Sequence, residues 1–117
     1  MARWTAAEAA ERWIRVGRWM SQEELRTMLD TGFAQESEMG GSRIAEPADI
    51  NAYRAAPEGD LYVEYDVPAG STIPGGGPGW SKIPGPNSTE GRLAVSKGLP
   101  PPQMPPVKNI QVVSRDE

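Results

Sequence analysis

Between Pro68 and Pro106, ten of 39 residues are proline and eight are glycine. Proline fixes φ and has no N–H to donate, so much of this stretch is expected to be loop rather than regular structure. It reads in two ways. It is a disordered linker, or it is a set of rigid loops between short strands. The strand-like runs Trp80–Ile83, Leu93–Val95 and Ile110–Val113 favour the second reading. Strands separated by a linker have no sheet to join, and rigid loops are where sites sit.

The other half carries ordinary periodic signals. Thr5-Ala-Ala-Glu8 has the form of a capping box and opens a short helix from Ala6 to Arg12; the competing reading of residues 1–12 is a flexible leader. Trp13 to Met20 is aromatic and β-branched and predicts a strand, from Ile14 onward. Ser21-Gln-Glu-Glu24 is a second capping box, opening a helix over Gln22–Asp30 with Leu25, Met28 and Leu29 towards the core. Gly32 stands where a left-handed helix cap is expected. Phe33–Ser37 and Arg43–Ala45 predict short strands, and Pro47–Tyr53 a short helix with proline in its first turn. In Asp60–Val67, Leu61, Val63, Tyr65 and Val67 alternate with Tyr62, Glu64 and Asp66, the pattern of a half-buried strand. The sum is one small α+β domain: a split, mostly antiparallel sheet of about six strands, with short helices and long Gly/Pro-rich loops.

The 117 residues fit a single domain with one modest core. The chain has no Cys and no His. Disulfides, thiolate nucleophiles and Cys–zinc sites are thereby excluded, as are His-based ribonucleases and Ser-His-Asp hydrolases. Catalysis is left to carboxylates, Arg, Lys, Tyr and hydroxyls. The net charge is −4, and neither half is basic, which argues against broad binding to nucleic-acid phosphates. No apolar run approaches the ~20 residues of a membrane span. The expected place of action is a cytoplasm.

Two charged residues stand out. Arg18 ends the first strand just before the capped helix, where a planar fork and the N–H groups at Ser21 both suit a phosphate. The competing reading is an arginine on a solvated strand face. Glu90, in Gly85-Pro-Asn-Ser-Thr-Glu90-Gly-Arg-Leu-Ala94, suits stabilisation of positive charge on a sugar carbon. It reads equally as an ion-pair partner of Arg92 or Lys82. Trp19 and Trp80 either stack on a ring or fill the core. Gly75-Gly-Gly-Pro-Gly79 lacks the spacing of a phosphate-binding loop.

Together these pieces resemble a known family. Gly17-Arg-Trp-Met-Ser-Gln-Glu-Glu-Leu25 through Thr31-Gly32 resembles the opening of bacterial ADP-ribosyltransferase toxins. Ala45-Glu-Pro-Ala-Asp49, Leu61-Tyr-Val-Glu-Tyr-Asp-Val-Pro68, the Gly85–Ala94 run and Gly98-Leu-Pro-Pro-Pro-Gln-Met-Pro-Pro106 are similar to one narrower group. That group is the TreTu-type toxin domain at the C-terminus of Rhs repeat proteins.

The resemblance implies a transferase fold, NAD as substrate and no metal. It implies a protein target, elongation factor Tu, modified in the target-cell cytoplasm after delivery from a larger secreted Rhs-type protein, and a cognate immunity protein. Nucleic acid and membrane are not expected partners. Arg18 matches the NAD-binding arginine and Glu90 the catalytic glutamate. Ser21, Ser42, Trp80, Asn87 and Gln103 are the further cofactor-binding positions. Ser42 is the nearest match to the middle Ser or Thr, with Ala45 where a Thr is expected, and Gly17 stands where many relatives carry Tyr. Two other classes stay open: an NAD glycohydrolase on the same fold, and a non-enzymatic binding or immunity module, which the acidic charge also suits.

Overall fold

The computed structural model describes residues 12–113, so the helix and leader readings of residues 1–11 lie outside the described residues. Six strands and two helices follow in the order β1 (Trp13–Met20), α1 (Gln22–Thr31), β2 (Ser42–Ala45), β3 (Leu61–Pro68), β4 (Ile73–Pro74), β5 (Trp80–Ile83), α2 (Thr89–Ser96) and β6 (Lys108–Val112), with a 3₁₀ turn at Ala69–Ser71. They form one antiparallel sheet in the order β4-β5-β2-β1-β3-β6.

That sheet is nearly two. β1 and β3 pair along their whole length, from Trp13 opposite Pro68 to Met20 opposite Leu61. β2 pairs β5 along all four residues. Between β1 and β2 the register holds at one position, Gly17 opposite Ala45. Two three-stranded halves thus meet at a single backbone pair.

Alternation sorts the faces. Val16, Met20, Ile44, Val63, Tyr65, Val67 and Ile83 are buried in one core, closed by Met28 of α1. Burying a side chain such as Met28 contributes about 2 kcal/mol. α1 starts at Ser21, whose Oγ accepts the Glu24 N–H at 3.1 Å, and ends at Gly32, φ 76°, whose N–H donates to the Met28 carbonyl. Leu29 departs from the expected pattern: it is 59% exposed, and Leu25 and Met28 alone face inward from α1.

Three expected elements are corrected. The Phe33–Ser37 strand reduces to one bridge, Phe33 with Pro106. Its partner segment is Pro105-Pro106, which has no N–H to continue a ladder. The Pro47–Tyr53 helix is absent. The Asp49 carboxylate accepts the Asn51 N–H at 2.9 Å, closing a local turn, and the Ile50 carbonyl accepts the Trp19 indole N–H at 3.3 Å. Groups a helix would use are thus committed elsewhere. Leu93–Val95 is helical. Ser88 caps α2, its Oγ accepting the Gly91 N–H at 3.0 Å while donating to the Gly85 carbonyl at 2.6 Å.

The Pro68–Pro106 segment is built into the fold. It supplies β4, β5 and α2 and buries Ile83, Gly85, Ser88, Gly91 and Pro105. Gly91 is required by contact: a Cβ there would strike the Gly85 and Pro86 carbonyls.

Candidate active site at the sheet junction

Where β1 and β2 part, Arg18 fills the wedge. Its Nε and one terminal nitrogen donate to the two Glu24 carboxylate oxygens at 2.7 and 3.0 Å, a bidentate fork. The other terminal nitrogen donates to the Arg43 carbonyl across the gap at 3.2 Å. The Arg18 and Glu24 side chains are 17% and 18% exposed. Burial works against the guanidinium charge, but the Glu24 carboxylate outweighs it, so the Arg18 pKa moves up. A guanidinium has five N–H donors. These contacts fix its plane and leave donors for a ligand.

On one side of Arg18 lies a cleft of about 300 Å³ lined by Gly17, Arg18, Trp19, Arg43, Ala45, Asp49, Ala52, Tyr53, Tyr62 and Trp80. That is the low end of the range for small-molecule sites. Its floor is the junction pair itself. Tyr62, opposite Trp19, packs with it at a ring separation of 5.6 Å. Its hydroxyl lies over Gly17, where a Cβ would collide with it. Burial, then the neighbouring Glu64 carboxylate, push the Tyr62 pKa up, so this hydroxyl stays protonated. Tyr53 stands edge-on to Trp80 at 6.3 Å. The cleft is thus aromatic, with two arginines and one carboxylate, Asp49, on its walls.

A second cavity of about 640 Å³ lies beyond Arg18 and is lined by Glu23, Glu24, Glu36, Glu38 and Asp60 besides Arg18 and Ser21. Five carboxylates against one guanidinium disfavour a phosphate there. Of the two cavities, the aromatic cleft is the one whose lining charges suit an anion.

The expected site residues divide. Arg18 and Trp80 line the aromatic cleft together. Ser21 borders the acidic cavity, its Oγ occupied as the α1 cap. Ser42 is buried at 2% exposure beside the Tyr65 hydroxyl and lines neither of these cavities. Asn87 belongs to a clamp: its backbone N–H and side-chain amide both donate to Glu36, at 2.8 and 2.9 Å. The Gly41 N–H joins them at 2.9 Å. Burial alone would raise the Glu36 pKa, but these N–H groups reverse it and hold the carboxyl below its ordinary range. Gln103 is exposed on the proline loop, its amide donating to the Pro101 carbonyl at 3.4 Å. Glu90 sits in the first turn of α2 with Oε1 2.9 Å from Lys82 Nζ, and this contact lowers its pKa. It lines neither cavity that Arg18 borders.

Sequence reasoning missed Tyr62, Arg43, Asp49 and Tyr53. Tyr62 carried a signal: it is an aromatic ring on the polar face of an alternating strand. Asp49 and Tyr53 were hidden inside the expected helix.

A small α+β domain with a cation-flanked aromatic cleft at a sheet junction defines a candidate small-molecule site. The family model described as TreTu toxin, C-terminal domain, matches residues 13–111. The chain belongs to that family and is a bacterial toxin domain. No curated protein matches the chain.

Proposed function

We propose that this domain is an NAD-dependent mono-ADP-ribosyltransferase that modifies a protein of a target bacterium, by resemblance elongation factor Tu, and so stops translation. The observation that carries the reading is Arg18: a guanidinium fixed by a bidentate carboxylate where β1 and β2 part, in a residue that borders the aromatic cleft. The two sheet halves joined at one pair support an ADP-ribosyltransferase-like split sheet. The absence of His suits this chemistry, which needs no imidazole. Nicotinamide departs with the electron pair of the glycosidic C–N bond, positive charge builds on the ribose, and the acceptor attacks the anomeric carbon. The protein's part is to hold the diphosphate on Arg18, stack a ring between aromatic walls, and set a carboxylate against the developing charge. On this reading the domain is delivered by a larger Rhs-type protein and neutralised in the producing cell by an immunity protein.

The resemblance gives the carboxylate role to Glu90. A second assignment has an observation of its own: Asp49 stands on the cleft wall, whereas Glu90 faces Lys82. Replacing each by its amide separates them.

The test of function is labelled NAD incubated with the domain and purified elongation factor Tu or bacterial lysate. Label on one protein band is the expected result. NAD loss without label identifies a glycohydrolase, and neither outcome identifies a binding module.

A further inference from the structure

We propose that Arg43 is a second anion-binding residue, and that the aromatic cleft takes one nucleoside phosphate with its base on the rings and its phosphate on Arg43. This rests on reading the cleft as the NAD site and assigns which part of the ligand it holds.

Arg43 lies on β2, on the same face as Ala45, and both line the cleft. Arg15, Arg18 and Lys82 form ion pairs with carboxylates, and Arg43 takes part in none of these. Its one side-chain hydrogen bond runs to the Gly75 carbonyl at 3.4 Å, the long end of such contacts. Arg18 is the opposite case, with three N–H groups committed at 2.7, 3.0 and 3.2 Å. Of the two guanidiniums on the cleft, Arg43 therefore keeps more donors open. A planar fork on the same cleft as Trp80 and Tyr62 matches the two parts of a nucleotide, a π-face and a phosphate. About 300 Å³ suits one nucleotide half and is small for a whole dinucleotide. The diphosphate of NAD then runs from Arg43 towards Arg18, whose side chain bridges the strand gap to the Arg43 carbonyl.

Tryptophan fluorescence reports occupancy because Trp19 and Trp80 line the cleft. The full chain is titrated with NAD, AMP and nicotinamide mononucleotide, and with adenosine and nicotinamide riboside as phosphate-free partners. Arg43 is exposed, so Arg43→Ala is expected to fold normally, with the thermal melt as a check. The expected result is a loss of about tenfold or more in affinity for NAD and for one mononucleotide, as for a charge-assisted contact to phosphate. Affinity for the phosphate-free partner stays unchanged, and Arg43→Lys retains part of the difference. Equal binding by Arg43→Ala, or an equal loss for nucleotide and nucleoside, overturns the proposal. So does a wild-type chain that binds no nucleotide. Nucleotide binding that depends on Arg43 without label transfer to any protein sinks the transferase reading and leaves this inference standing. Normal binding and transfer by Arg43→Ala does the reverse.

Discussion

The half-sheet of β1, β3 and β6 and the half-sheet of β2, β5 and β4 are held by different means. In the first, two eight-residue strands pair end to end, and apolar alternation drives one face into the core. In the second, the strands are four, four and two residues long. The turn before β2 fits because Gly40 and Gly41 lack a Cβ where the backbone of Asn87 and Ile83 presses in. The cleft lies on the seam, taking Gly17, Trp19 and Tyr62 from one half and Arg43, Ala45 and Trp80 from the other. The long half fixes position, and the short half shapes the walls.

If the seam is the active site, Arg18→Ala has the largest effect. Transfer of labelled ADP-ribose should fall by about a hundredfold or more, the scale for loss of one electrostatic group. Circular dichroism should show the fold retained. Arg18→Lys should rescue little, since an ammonium cannot reproduce the fork to Glu24. A folded Arg18→Ala protein with full transfer would break the comparison at its centre. Beside it, Asp49→Asn should reduce turnover more than Glu90→Gln, because Asp49 is on the cleft wall. The opposite order restores the role to Glu90.

The next effect is structural and confined to the short half. Gly91→Ala forces a Cβ against two backbone carbonyls that cannot yield as a side-chain tip would. A loss of about 3 kcal/mol in urea denaturation is expected. An unchanged midpoint would show that the turn is looser than its contacts imply.

Smaller again is the Glu36 clamp, which ties the turn at Gly41 to the one at Asn87. Glu36→Ala should cost about 2 kcal/mol, as for hydrogen bonds to a charged group. Its folded pKa is depressed. The stabilisation is therefore complete above the ordinary glutamate value of about 4.3 and is lost as pH falls through the lower folded value. Glu36→Gln should flatten that part of the stability–pH curve below pH ~4. Smallest is Lys82→Ala. Glu90 is 40% exposed, so breaking that pair should cost less than about 1 kcal/mol.

The same division explains what was legible in the sequence. β1, α1 and β3 announce themselves through period and caps: the Ser21–Glu24 box, Gly32 at the helix end, and the alternation from Leu61 to Val67. α2 does not, because its cap Ser88 is followed at the third helical position by Gly91 rather than by Glu or Gln, and Leu-Ala-Val reads locally as a strand. Only the fit of Gly91 beneath Gly85 and Pro86 decides for the helix, and that contact is tertiary. Arg18 and Trp80 were singled out in the sequence through the family resemblance, and both line the candidate cleft. Arg43 and Tyr62 were not, since their meeting depends on β2 and β3 flanking β1 from opposite sides. Glu90 shows the converse: sequence placed it in a turn before a strand, and the structure places it on a helix, paired with Lys82.

The central claim is that the seam between the half-sheets binds NAD. A crystal structure of the domain with NAD tests it directly. The expected density shows one ring of the dinucleotide against Trp80 and Tyr62 and the diphosphate within hydrogen-bond reach of Arg18. Density for NAD beside Glu90 and α2, with the aromatic cleft unoccupied, would contradict it.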